Sequence, residues 1–185
     1  LRFPATTPAK AGIVEIEAVR YQNLNLGSIK AGLQQTVSGI SFKGNLKSAL
    51  IPALSVKFSG ETHLASFEDH ETRAHYEIYY PKTGPEVDLG KLLPAAAGFT
   101  FKGKLLEEGN LVIGKEGLKA GARSAISNGE LRHRKNKIAI EAIQMDLLIP
   151  DLAQMRSAPG QKLKFARASL GEMNLENGEI DFQIE

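Results

Sequence analysis

The segment MRSAPGQKLKFARASLGEMNLENGEIDFQIE, residues 155–185, carries the pattern that decides the fold. Its last six residues, IDFQIE at 180–185, alternate apolar and polar side chains without interruption. A period of two is typical of a β-strand with one apolar face and one face in water. We therefore expect a strand over Ile180 to Glu185, either at the edge of its sheet or borrowed by a neighbouring molecule.

The same alternation recurs at intervals along the chain. It is found in VEIEA (14–18), LNLGSIKAGL (24–33), ISFKGNL (40–46), LSVKFSG (54–60), RAHYEIYY (73–80), GFTFKGKL (98–105), NLVIG (110–114) and KIAIEAIQMDLLI (137–149). Short strands at this spacing, joined by turns rich in Gly, Asn and Pro, are typical of an antiparallel meander. The sequence therefore predicts a mostly β fold, either a curved, U-shaped groove or a sandwich-like sheet, with at most one or two short helices.

Three segments between these patterns are harder to assign. KSALIPA (47–53) contains a proline and is predicted to be a connection or a single helical turn. LGKLLPAAAG (89–98) fits a short helix or a loop, and GKEGLKAGARSAISNGE (114–130) has too many glycines for a stable helix, so both are predicted to be irregular. We expect one β-rich unit over residues 1–185, with a weaker alternative division into 1–90 and 91–185.

Composition excludes several classes of protein. The 185 residues are 42% hydrophobic and 24% charged, which is typical of a folded domain rather than a disordered chain. A net charge of +2 gives little reason to expect nucleic acid as a partner, and the absence of cysteine removes disulfides and thiolate sites. No apolar run is long enough to span a bilayer as a helix. Because the chain starts at Leu1 without signal-peptide features, we expect it to be a segment of a longer protein.

Two motifs suggest ligand sites and are better explained by structure. GFTFKGKL and GNLVIGKE (109–116) match the glycine and lysine spacing of a phosphate loop, but Leu105 and Glu116 stand where Ser or Thr should hold magnesium. LRHRKNK (131–137) is basic but lacks the interleaved aromatic residues of a single-strand nucleic-acid site, so we predict a solvated hairpin tip.

The segment HLASFEDHETRAH, residues 63–75, contains ligand types that suit zinc or iron. A turn at Asp69 would place His63 and His75 on adjacent strands, but a polar hairpin in water explains the same residues without a metal. No metal and no cofactor is therefore predicted.

Nothing in the sequence indicates catalysis. The chain has no Gly-x-Ser-x-Gly motif, and the adjacent carboxylates Glu107 and Glu108 would point to opposite faces of a strand. We therefore expect a protein that is not an enzyme.

The segment SAPGQKLKFARASLGEMNLENGEIDFQ, with its Pro-Gly-Gln turn and Leu-Gly-x-x-Leu step, resembles the YdbH-like family, which carries the label "dicarboxylate transport" and is related to AsmA-like envelope proteins. NGELRHRKNKIAI and MDLLIPDLAQMRSAPGQ fit the same pattern, so the resemblance is best over residues 128–185. Earlier segments match only the general AsmA-like style.

The resemblance implies a periplasmic segment of a Gram-negative envelope protein that is tethered to the inner membrane by parts outside this segment. Proteins of this kind resemble long curled sheets with an apolar interior, implicated in moving phospholipid to the outer membrane. The implied partners are phospholipid or another amphipathic lipid. Envelope proteins are a second class of partner, if the segment is instead a structural or adaptor domain that pairs through its edge strands.

An apolar groove of this kind would be lined by the apolar residues of the alternating strands. Burying an acyl chain there gains about 0.8 kcal/mol per methylene. The candidate lining residues are Leu54, Val56, Phe58, Tyr76, Ile78, Ile138, Ile140, Ile180 and Phe182. The same residues would equally line the core of a closed β-sandwich, which stays open as the alternative.

Overall fold

A computed structural model describes residues 11–21, 24–64 and 70–185. The strands are β1 Ala11–Tyr21, β2 Leu24–Gln35, β3 Gly39–Ser48, β4 Ser55–Leu64, β5 His70–Tyr80, β6 Val87–Asp88, β7 Phe99–Gly114, β8 Gly117–His133, β9 Ile138–Ile149, β10 Gln161–Leu170 and β11 Met173–Phe182. Two single 3-10 turns, Leu89–Lys91 and Pro94–Ala96, lie between β6 and β7.

All of these strands belong to one antiparallel sheet. Its order is β1-β2-β3-β4-β5-β7-β8-β9-β10-β11, with the two-residue β6 paired only to β7. The first and last strands lie at opposite edges and do not pair, so the sheet is not closed. The mostly β antiparallel meander and the edge position of β11 are thereby confirmed, although β11 ends at Phe182 and does not continue to Glu185 as predicted. The sheet is open and consistent with a curved one, and a closed sandwich is not formed by the described residues.

The strand register separates two faces. Residues directly opposite each other on paired strands point to the same side. One row across the sheet joins Leu46, Val56 and Ile78, and the row beside it joins Asn45, Lys57 and Glu77 on the other side. The same separation holds over most of the sheet, although a short row of Tyr79, Leu106 and Ala125 lies on the second side. We call the two sides the apolar face and the polar face.

The polar face is crossed by ion pairs between neighbouring strands. On it, Lys30 of β2 lies 2.6 Å from Glu15 of β1, and Arg123 of β8 binds Asp146 of β9 through its guanidinium. These pairs are exposed and each contributes little to stability. Their charges do help to fix the strand register, because a shift of one residue would move these charged side chains to the apolar face.

Aromatic side chains on the apolar face lie over glycines of the next strand. Phe58 faces Gly44, Phe42 faces Gly60, Tyr76 faces Gly109 and Phe165 faces Gly178, each as a register pair. A Cβ added at Gly178 would come within 2.0 Å of Phe165 Cζ, so the ring occupies the space that a side chain would need. These pairs bury aromatic surface within one layer, as in the aromatic rescue of glycines in sheets.

An irregularity crosses β8 to β11 at one level. Each of these strands contains one extra residue that breaks its alternation, at Asn128, Ala142, Ala166 and Asn177. Asn128, Ala142 and Asn177 have positive φ angles of 51°, 55° and 52°. We call this row the bulge line. Bulges of this kind bend strands and increase their twist.

The connection of residues 81–98 covers one end of the apolar face. The hydroxyl of Tyr80 donates to the carbonyl oxygen of Pro85, and only 2% of Tyr80 is exposed. At the end of β8, the ring of Phe99 packs edge-on against His133 with 4.7 Å between ring centroids. The centre of the face has no comparable cover among the described residues.

Two sequence predictions are corrected here. Residues 114–130, predicted to be irregular, form the hairpin between β7 and β8 and most of β8. Alanine and serine side chains at Ala120, Ala122 and Ser124 are small, but they are held in register by β7 and β9 on both sides. Pairing on two sides outweighs the weak strand propensity of this segment.

Leu54, placed with the strand residues by its alternation, lies in the connection that precedes β4. The same connection contains Pro52, as predicted, and residues 89–98 form the two short 3-10 turns between loops rather than a longer helix.

Candidate functional site

The predicted lining residues share one face. All eight of those that lie in strands are on the apolar face: Val56, Phe58, Tyr76, Ile78, Ile138, Ile140, Ile180 and Phe182. The register partner of each residue on the neighbouring strand also lies on the apolar face, as Ile78 does for Val56 and Leu163 does for Ile180. They do not converge on one pocket, because they are spread from β4 to the edge strand β11.

The apolar face is covered by no second layer of described residues. No large side chain among them is fully buried, and only seven apolar residues are well buried: Ala31, Tyr80, Ala122, Ile143, Ile149, Phe165 and Ala168. Several apolar-face residues are strongly exposed, at the edges and inside the sheet: Ile16 of β1 is 43% exposed, Leu118 of β8 is 54% exposed, and Met173 and Ile180 of β11 are 58% and 51% exposed. A continuous apolar surface of this kind usually marks a binding surface.

One carboxylate interrupts this apolar surface. Glu107 of β7 is opposite Ile78 on one side and Ser124 on the other, which places it on the apolar face. It is the one Asp, Glu, Lys or Arg among the register-paired residues of that face in the described strands. Glu108 points to the polar face, as predicted for adjacent residues of a strand.

Two hydroxyl groups hold the Glu107 carboxylate. Tyr76 donates to Oε1 at 3.1 Å, and Ser124 donates to Oε2 at 2.8 Å. Ser124 is buried, and Glu107 and Tyr76 are half-buried. Glu107 forms no ion pair with any other residue that the structure describes. The carboxylate is therefore positioned by neutral donors, and no cation of the described residues forms an ion pair with it.

The tyrosine in this cluster stays protonated over a wide pH range. Burial, followed by the charge of Glu107 and the hydrogen bond to it, raises the pKa of Tyr76 to about 12. Burial disfavours the phenolate, and a neighbouring carboxylate repels it. Tyr76 therefore acts as a hydrogen-bond donor to Glu107 throughout the neutral range.

Sequence reasoning missed this cluster for a specific reason. The alternation of Leu105, Glu107 and Gly109 was sufficient to place Glu107 on the same side as an apolar residue. Its partners come from two other strands, and β5 and β7 are joined by the 18-residue connection 81–98. The register between two strands joined by such a long connection cannot be predicted from the sequence.

The other motifs form no ligand site in the described residues. His63 and His75 do lie on adjacent strands, but His63 is opposite Glu71 while His75 is opposite Ser59, four residues along β4. His63 instead contacts Glu61 at 2.9 Å and Ser38 at 3.1 Å. Glu68 and Asp69 lie outside the described residues. No group of three or more potential metal-ligating side chains is found in the part of the chain that is described.

The remaining predicted turns are observed. Residues 134–137 form the tip of the β8–β9 hairpin, where the backbone N–H of Asn136 donates to His133 Nδ1 at 3.1 Å. The two segments that match the phosphate-loop spacing are parts of the long strand β7 and its turn, with no helix after them.

An open depression of about 800 Å³ lies across β8 to β10, and the polar-face residues Arg123, Asp146 and Lys162 contribute to its wall.

Comparisons with known proteins add no assignment. No protein-family model, curated protein or solved structure matches the chain. No helix in residues 11–21, 24–64 and 70–185 has the length and apolar character needed to cross a membrane. The function is therefore argued from the geometry of the sheet.

Proposed function

We propose that the protein binds the acyl chains of phospholipid on the apolar face and takes part in phospholipid transport between the inner and outer membranes. The observation that carries the proposal is an apolar face that runs from β1 to β11 without a second layer of described residues over it. The resemblance of residues 128–185 to YdbH-like and AsmA-like proteins supports a periplasmic segment tethered to the inner membrane.

Physical chemistry favours such an occupant. Apolar surface that no protein layer covers is left in water. An acyl chain that binds to it removes apolar area of both the protein and the chain from water. Each methylene buried gains about 0.8 kcal/mol, in a manner that does not depend on a fixed binding geometry. An acyl chain could therefore shift along a surface of Leu, Ile, Val and Phe with little change in free energy.

The two faces of one strand provide a matched test. A photoreactive amino acid is placed at Ile78, Ile140 or Ile180 on the apolar face, and at Glu77, Glu141 or Asp181 on the polar face. After irradiation in cells, we expect mass spectrometry to find phospholipid attached to the first three variants and little on the second three. Equal labelling from both faces, or gently purified protein that is free of lipid, would contradict the proposal.

A second function is supported by the sheet edges. Among residues 11–21, 24–64 and 70–185, the backbones of β1 and β11 pair with a strand on one side only, and both strands expose apolar side chains. An extended segment of an envelope protein could add as a further strand at either edge. In that case crosslinkers on the outer backbone edge of β11 would capture a protein, and those at Ile78 and Ile140 would capture no lipid.

A further inference from the structure

Glu107 places a charged group on the apolar face, where the sheet itself does not require one. The sheet does not need a charge at this position: Ile78 and Leu105 beside it are apolar, and a neutral amide could accept a hydrogen bond from the hydroxyl of Ser124 or Tyr76. A carboxylate among such neighbours loses part of its hydration, and no cation compensates for this among the described residues. Tyr76 and Ser124 fix its orientation but do not neutralise it.

We propose that Glu107 is the head-group site of the apolar face and selects amphiphiles that carry a primary ammonium group. This inference rests on the proposed function, because it assumes that acyl chains lie on that face. Charge complementarity identifies the occupant: the face offers one anionic group, and an ammonium supplies both the opposite charge and the N–H donors that a carboxylate accepts.

The position of Glu107 suits this role. β7 lies inside the sheet, with five strands on one side along the main order and four on the other. Four strand spacings correspond to about 19 Å of surface in either direction. An amphiphile with its head at Glu107 would therefore have apolar surface for its chain on both sides.

The donors leave room for the ammonium. Each carboxylate oxygen accepts one hydrogen bond within the cluster, and a carboxylate offers about four lone-pair sites. The hydroxyl groups thus orient the carboxylate while its remaining lone pairs stay available to a ligand. Because Tyr76 keeps its proton at neutral pH, it adds no second negative charge to the site.

Non-specific attraction would produce the opposite preference. The protein has a net charge of +2 at pH 7, so its overall field slightly favours anions. A preference for ammonium over a carboxylate head must therefore come from a local anionic group rather than from the molecule as a whole.

The test compares three amphiphiles that share one chain: dodecylamine, dodecanol and dodecanoate. Their affinities are measured below the micelle concentration by displacement of a fluorescent fatty acid. We expect the wild-type protein to bind the ammonium form about tenfold more tightly than the alcohol, the size of one charge-assisted hydrogen bond at a half-exposed site. Dodecanoate should bind less tightly than the alcohol.

Two neighbouring substitutions make the matched comparison. Glu107→Gln should remove the preference while keeping an oxygen that accepts from Tyr76 or Ser124, and Glu108→Gln, which removes the same charge on the polar face, should leave it intact. Circular dichroism and the thermal midpoint of each variant check that the sheet is formed. A preference that survives in Glu107→Gln, or is lost equally in both variants, would overturn the site.

The outcomes separate this inference from the proposed function. If all three amphiphiles bind with similar affinity, the apolar face binds lipid chains and the head-group site at Glu107 is refuted. If none of the three binds to the folded protein, the proposed lipid function itself fails.

Discussion

The pair formed by Phe165 and Gly178 provides a sharp test of how a single layer of side chains stabilises this sheet. Phe165 is 8% exposed although no second layer covers it, because its ring lies flat on the backbone of Gly178 in the next strand. A Cβ at position 178 would come within 2.0 Å of Phe165 Cζ, and the three nearest atoms all belong to that ring. Gly178 does not have a positive φ, so the backbone itself accepts alanine.

The expected effect of Gly178→Ala therefore depends on what residue 165 is. In the wild-type background the ring must leave its position, which forfeits about 2 kcal/mol of burial, while replacing glycine within a strand returns about 0.5 to 1 kcal/mol. The net result is a destabilisation of about 1 to 1.5 kcal/mol. In a Phe165→Ala background no ring is present, and the same substitution should stabilise the protein by about 0.5 to 1 kcal/mol.

The assay is urea unfolding of the wild type, both single variants and the double variant. The coupling free energy between the two positions should be about 2 kcal/mol, with m values that do not change. Phe165→Ala alone should cost about 2 to 3 kcal/mol, since the open face encloses no cavity that would add to the transfer cost. If Gly178→Ala destabilises both backgrounds equally, the ring does not depend on the glycine and the reasoning is refuted.

Three further predictions concern ionisation and the sheet edge. The phenol of Tyr76 should titrate near pH 12, measured as the difference in ultraviolet absorbance between the wild type and Tyr76→Phe. Glu107→Gln should lower the pKa of Tyr76. An ordinary pKa in both the wild type and Glu107→Gln would contradict the hydrogen bond to Glu107. Because the folded pKa lies above the ordinary value of 10.0, the stability contributed by Tyr76 is complete below about pH 10 and is lost as pH rises through about 12, a loss that Tyr76→Phe should not show. The hydrogen bond and charge of Arg123 lower the pKa of Asp146, so Arg123→Ala should raise the pKa of Asp146 in an NMR titration. The wild type loses stability as pH falls through the pKa of Asp146, and Arg123→Ala should remove this part of the stability. Two copies that pair edge to edge through β11 would self-associate in analytical ultracentrifugation. Ile180→Lys places a charge on the apolar face of this edge strand at a half-exposed position, so it should reduce that association without unfolding the protein, and unchanged association would argue against pairing through β11.

Alternation in the sequence was sufficient to predict which residues share a face. Val56, Phe58, Tyr76 and Ile78 lie on one side because neighbouring antiparallel strands preserve the period of two, and this needs no knowledge of the partners. Most of β8 was missed because its middle is rich in Ala, Gly and Ser, residues whose own preference for strands is weak.

The Glu107 cluster could be predicted only in part. Alternation places Glu107 and Glu108 on opposite faces, but the hydrogen bonds from Tyr76 and Ser124 depend on how β5, β7 and β8 are aligned. That alignment is set by contacts distant in sequence, with no short turn between β5 and β7 to fix it.

The bulge line determines where the chain can change its length. β7 contains no extra residue, yet it pairs with β8, which has one at Asn128. β11 could likewise lose Asn177 and keep Leu175 on the side of Ile180 and Glu176 on the side of Glu179, whereas deletion of a residue elsewhere in the strand would turn one part of it over. Single-residue insertions and deletions that preserve the two faces should therefore concentrate along this row in related sequences.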